Sequence, residues 1–168
     1  MRTLLDSCET TASPSYRLLG LHDTTMGAET FHDDADRTKW LLPGPGLVYL
    51  QAPSQVITVA IRLESWTTEP PLPPGTWAGR EEVEVDLPEG ELCLQTVDGG
   101  EMAELPLVLP SAGTYRMRWQ WVFNPDRGPF TSPLEGRDGV LDQLGAGAAD
   151  LDGRDQFCLV QVWRTAGA

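Results

Sequence analysis

In residues 81–87 (EEVEVDL) polar and apolar side chains alternate strictly. That period of two puts Val83, Val85 and Leu87 on one side of a strand and Glu82, Glu84 and Asp86 on the other. Residues 55–64 (QVITVAIRLE) alternate likewise, with Ile57, Val59, Ile61 and Leu63 opposed to Thr58, Ala60 and Arg62. Residues 114–123 (TYRMRWQWVF) carry a heavy face of Tyr115, Met117, Trp119, Trp121 and Phe123, which is predicted to point inward. Turn residues Pro88-Glu89-Gly90, Asp98-Gly99-Gly100 and 110–113 divide this stretch into strands at 81–87, 91–97, 101–109 and 114–123. Short turns between alternating runs predict that the four follow one another as a meander. Residues 156–165 (QFCLVQVWRT) are apolar on both faces, as expected of a strand covered on both sides. Residues 16–22 and 47–52 predict further strands, and 33–42 a short helix or an irregular arm.

The gaps in the pattern are as informative as the runs. Residues 67–77 contain Pro70, Pro71, Pro73 and Pro74, which remove backbone donors and fix φ, so no regular element fits there. Residues 124–155 are rich in Gly, Asp and Ala and predict a long loop, with one short helical turn at 139–144. The expected fold class is all-β: a single antiparallel β-sandwich or jelly-roll-like domain of about seven to nine strands, with long loops and little helix. Residues 1–46 are expected to form an N-terminal arm and the first strands packing on the sandwich. Residues 47–165 are expected to form its core, including the loop 124–155.

Composition narrows the partners. The 168 residues suit one domain, and 17 Gly with 14 Pro favour many short elements over a few long helices. Asp and Glu number 25 against 12 Lys and Arg, for a net charge of −13. Such a chain is repelled by nucleic acid and by anionic lipid, so neither direct nucleic-acid binding nor membrane binding is expected. No run reaches the ~18 apolar residues of a membrane span, and the opening residues lack a signal peptide's apolar core. Cys8, Cys93 and Cys158 are odd in number and widely spaced, which fits neither a zinc ribbon nor a disulfide framework. The expectation is a cytoplasmic protein without a cofactor.

Nine acids, among them Glu82, Glu84, Asp86, Glu101 and Glu104, lie between Arg80 and Arg116 with no Lys or Arg between them. On adjacent strands they would form a docking surface for a cationic protein. The plainer reading is a solvated face that keeps the protein soluble, partly neutralised by Arg116 and Arg118 across the sheet. His22 and His32 lie among carboxylates and could hold a divalent metal, but they are ten residues apart across weak structure. Residues 150–155 (DLDGRD) resemble part of a calcium loop without its closing Glu. No G-x-S-x-G, no Cys beside a His and no phosphate-binding Gly loop with its Lys is present. Trp119, Trp121 and Trp163 are core by position. Trp40, Trp66 and Trp77 lie outside the core pattern, where exposed rings would stack on a sugar and folded-back rings would cap the sheets.

The run PPLPPGTWAGREEVEVDL, the strand at 91–97, residues 105–109, Ala112-Gly113-Thr114-Tyr115-Arg116-Met117-Arg118 and the closing Leu159-Val160-Gln161-Val162-Trp163 resemble a set of small bacterial β-sandwich proteins. Competence protein J, which inhibits a DNA-entry nuclease, is the best-known of that kind. The resemblance spans residues 47–165 and rests on turn and core positions, so it implies fold and carries over no catalytic or binding residue. Together these readings point to a non-enzymatic acidic binding protein, most concretely an inhibitor or immunity-type partner of a basic protein such as a nuclease. The alternative is a jelly-roll small-ligand or carbohydrate-binding module using Trp40, Trp66 and Trp77.

Overall fold

The structure, a computed structural model, describes residues 1–24, 34–95, 102–141, 151 and 153–165, the side chains of 102–104 excepted. Among the described residues there are ten strands and no helix. The first sheet contains β1 (Leu4–Ala12), β5 (Val59–Trp66), β6 (Gly79–Leu87), β9 (Gly113–Phe123) and β10 (Gln156–Arg164), in the order β1-β5-β10-β9-β6. The second contains β2 (Leu18–Asp23), β3 (Leu41–Gly44), β4 (Leu47–Gln51), β7 (Leu92–Gln95) and β8 (Met102–Glu104), in the order β3-β4-β2-β7-β8.

The two sheets bury one common core in a sandwich-like arrangement. Leu19, Leu21, Val48, Leu50 and Leu94 of the second sheet meet Ile61, Leu63, Val85, Met117, Trp119, Trp121 and Val160 of the first. The alternation in β6 and β9 has the expected register: Val85, Leu87, Tyr115, Met117, Trp119 and Trp121 are buried and Val83 packs against the core. Gly79 starts β6 where the Trp121 ring lies against its backbone; an added Cβ would sit 2.3 Å from that ring. Strand β10 is the middle strand of its sheet and is buried along all but its last residue, which its two apolar faces require.

Several expectations are corrected. The sheets are not antiparallel throughout, because β10 runs parallel to β5, with Cys158 opposite Ile61 and Val160 opposite Leu63. Nor do the strands from 81 to 123 form a meander. β6 pairs with β9 in the first sheet, whereas β7 pairs with β2 and β8 in the second. The chain changes sheets at Gly90 (φ 69°), where a Cβ would lie 2.6 Å from the Ser111 carbonyl oxygen. Asp23 is buried there and its carboxylate accepts the N–H groups of Glu89 and Gly90, both at 3.1 Å. Pro106 and Pro110 shorten the expected strand 101–109 to the three residues of β8. No helix forms in the described part of 33–42 either; Leu41 and Leu42 enter β3 instead. Of the helical turn expected at 139–144, residues 142–144 lie outside the described residues, and Val140 makes an isolated bridge to Thr131.

Candidate functional site

Because side chains alternate along β6, Glu82, Glu84 and Asp86 all project from the outer face of the first sheet and are exposed. Strand register sets their neighbours: Arg118 opposite Glu82, Arg116 opposite Glu84 and Thr114 opposite Asp86. Glu82 takes most of the positive charge, accepting Arg118 Nε at 2.6 Å with Arg116 Nη1 at 3.8 Å. Asp86 accepts the Thr114 hydroxyl at 2.6 Å. Glu84 has no hydrogen bond or ion pair among the described residues, so the compensation is partial. Glu81 points the other way. Its two oxygens accept the N–H groups of Trp40 (3.1 Å) and Leu41 (2.9 Å), tying the β6 edge to β3.

Of the other two expected docking acids, one has a described backbone. Glu104 belongs to β8, at the edge of the second sheet away from β3, and Glu101 lies outside the described residues. Since β6 contacts β3, the strand of Glu104 runs at the opposite edge of the molecule from the β6 row. The backbone of Glu104 is therefore not on the sheet that carries the β6 row.

Arg118 pairs with Glu82 across the sheet as expected, but it is also buried, at 1% exposure, which its outward position does not signal. The proline-rich segment covers it: Nη2 donates to Glu69 at 2.8 Å and Nη1 to the Pro70 carbonyl at 3.1 Å. Nη1 also reaches Gln161 Oε1 at 3.4 Å, and the guanidinium lies 5.0 Å from the Trp163 ring centre. The apolar outer face of β10 was the available signal that something covers this sheet.

The three tryptophans are not brought together. Trp40 packs its ring on Trp121 at 5.1 Å and on Phe123 at 6.4 Å, capping the core. Trp66 donates Nε1–H to Glu64 at 2.9 Å at the end of β5. Trp77 lies 6.2 Å from Phe157 on the outer face of the first sheet. There it walls a cleft of about 760 Å³ with Pro73 and Pro74, over Ala60, Phe157 and Leu159, with Arg62, Glu64 and Arg154 also lining it.

Of the metal pair expected at His22 and His32, only His22 lies among the described residues. His22 is fully buried, with its ring edge-on to Tyr49 at 5.2 Å, and burial holds its imidazole below the usual range. His32 lies outside the described residues, as do Asp150 and Asp152 of the calcium-like run. Among the described residues no group of three His, Cys, Asp or Glu side chains is placed to hold a metal ion. Cys158 is a free, fully buried thiol whose pKa burial pushes far up. No helix among the described residues is long and apolar enough to cross a membrane.

No family model matches the sequence, and no curated protein matches it. Two solved structures share the fold along nearly the whole chain. One is the crystal structure of ComJ, inhibitor of the DNA degrading activity of NucA, from Bacillus subtilis. It matches with a TM-score of 0.55 and 12% identity over 98% of this chain and 99% of that chain. The other is described as Crocagin biosynthetic gene J, with a TM-score of 0.51 and 18% identity over 98% of each chain. At these identities the likeness is one of fold. It agrees with the resemblance that the turn and core positions of the sequence carry.

Proposed function

We propose that this chain is a non-enzymatic inhibitor-type protein that works inside the cell and docks a basic protein, a DNA-degrading nuclease in its most concrete form, through the carboxylate row of β6. The observation that carries the reading is an exposed, incompletely neutralised row of acids on a fold shared end to end with a nuclease inhibitor. A net charge of −13 adds long-range attraction for a cationic partner, which raises the association rate and makes it depend on salt. The row sits on a regular strand whose register is fixed by nine cross-strand pairs to β9, so the spacing of the residues that carry the carboxylates is set before contact. A sugar-binding platform is less favoured, because Trp40, Trp66 and Trp77 lie at three separate places.

The test uses Glu84→Lys with Asp86→Lys, which spares the Glu82–Arg118 pair. Inhibition of DNA degradation by a basic nuclease of the same host is measured at low and high salt. The reading expects at least about a tenfold loss of inhibition at low salt, the order produced by reversing charges that steer association. Unchanged inhibition by the double variant assigns the row to solubility alone.

A further inference from the structure

A second surface lies beside the opposite edge of the same sheet. Across the outer face, cross-strand register aligns Thr11, Ala60, Phe157 and Val122 in one row and Glu9, Arg62, Leu159 and Gln120 in the next. Ala60 and Thr11 are small, so the face is hollow between the open edge and the Trp77 ring. Phe157, Leu159 and Val122 pack with Ala60 and Trp77 as an apolar cluster, part of which floors the cleft.

The ends of this cleft differ in charge. Arg154 lines it, and its guanidinium has no ion pair or hydrogen bond among the described residues. That is unusual in a chain whose acids outnumber its bases 25 to 12. Glu64, also on the lining, accepts N–H groups from Trp66 and Gln161 at 2.9 and 3.0 Å and faces no cation. Between them Arg62 and Glu9 neutralise each other. Asp155 bonds the backbone of Thr58, which places Arg154 at the far end of β5 from Glu64. Six residues of strand separate those levels, roughly 20 Å. Alongside, β1 ends the sheet, and no strand among the described residues pairs with its outer edge.

We propose that this cleft binds a short extended peptide. An apolar side chain rests on Phe157, Leu159 and Trp77, an acidic group meets Arg154, and a basic group meets Glu64. An extended chain of five or six residues spans the required length. The adjacent open edge offers backbone hydrogen bonds to such a chain, while the cleft selects its side chains. The site lies at the other edge of the sheet from the β6 row and does not depend on that row's function.

Three blocked peptides serve as probes in calorimetric titrations: acetyl-Lys-Leu-Phe-Leu-Asp-amide and its two analogues with Lys at both ends or Asp at both ends. The expected result is saturable binding of the first, at least tenfold tighter than either analogue. Arg154→Glu should shift the preference to the peptide with two Lys ends. Ala60→Trp, which fills the floor, should weaken binding at least tenfold; if that variant does not fold, Arg154→Glu decides alone. Glu84→Lys with Asp86→Lys should leave peptide affinity unchanged, so failure here is distinguishable from failure of the inhibitor reading. Equal affinity for the three peptides, no saturable binding, or binding of cellobiose in place of peptide overturns the proposal.

Discussion

Strands β6 and β1 both end the first sheet, but β6 lies against β3 of the second sheet, while no strand among the described residues pairs with the outer side of β1. On β6, Glu81 reaches across to the backbone of Trp40 and Leu41, and Glu82 is held by Arg118 and Arg116. On β1, Asp6 accepts the Val108 N–H at 2.9 Å, Leu4 and Leu5 are 43% and 45% exposed, and Glu9 pairs with Arg62. Burial alternates along both strands. Each edge carries a carboxylate bonded to a backbone N–H, so what separates them among the described residues is the strand alongside: β6 has β3, while β1, with none, stays available for a further strand.

The largest expected effect is at the covered end of this contrast. Arg118→Ala removes a buried cation and four polar contacts and leaves a hole under the proline-rich segment. Glu69 and Glu82 can rehydrate, so the loss should sit near the low end for a broken buried pair, about 3 kcal/mol in urea unfolding. A loss below about 1 kcal/mol would mean that the proline-rich cover does not hold Arg118 as described. Next comes Glu81→Ala, which leaves two partly buried N–H groups without their acceptor and should cost about 2 kcal/mol. If it costs nothing, the β6 edge is closed by apolar packing alone.

A smaller effect concerns pH. The His22 imidazole has its pKa lowered from 6.5 by burial, so the unfolded chain binds the proton first as pH falls. The stability His22 contributes is fully present above pH 6.5 and is lost as pH drops from there toward the folded value, with a slope of at most about 1.4 kcal/mol per pH unit. His22→Leu should remove that slope from unfolding midpoints measured between pH 6.5 and 5. A slope that survives the substitution belongs to other groups. The smallest effect is at the open edge: Leu5→Lys should change stability by less than ~0.5 kcal/mol. A cost three times as large would show that β1 is covered in solution, and the contrast between the edges would fail.

Much of the first sheet was legible from period-two alternation. Val85, Leu87 and the heavy face of β9 needed only that rule, and the two apolar faces of residues 156–165 anticipated a strand covered on both sides. The division between sheets was not legible. Pro88-Glu89-Gly90 suits a hairpin as well as a crossover, and the choice is made by Asp23, 67 residues before Gly90 in the chain. The burial of Arg118 was not legible for a related reason: alternation tells which face a side chain is on, but not that a proline-rich loop will cover that face. The β6 carboxylates were legible as a row. That Glu81 leaves it, and that Glu104 belongs to the other sheet, depended on contacts that no local pattern encodes.

The position of β10 has a consequence for biosynthesis. It is the last strand along the described chain and yet the middle one of its sheet, bonded to β5 across 97 residues. Until it emerges from the ribosome, β5 and β9 have no strand between them, and the sheet exists only as two fragments, β1-β5 and β9-β6. Closing so long a loop before any reward is collected makes assembly slow, and the waiting strands present free edges to other chains. Expression yield should therefore respond more sharply to changes in residues 156–164 than to equally drastic changes in β1, because the former set how long the nascent chain remains half-built.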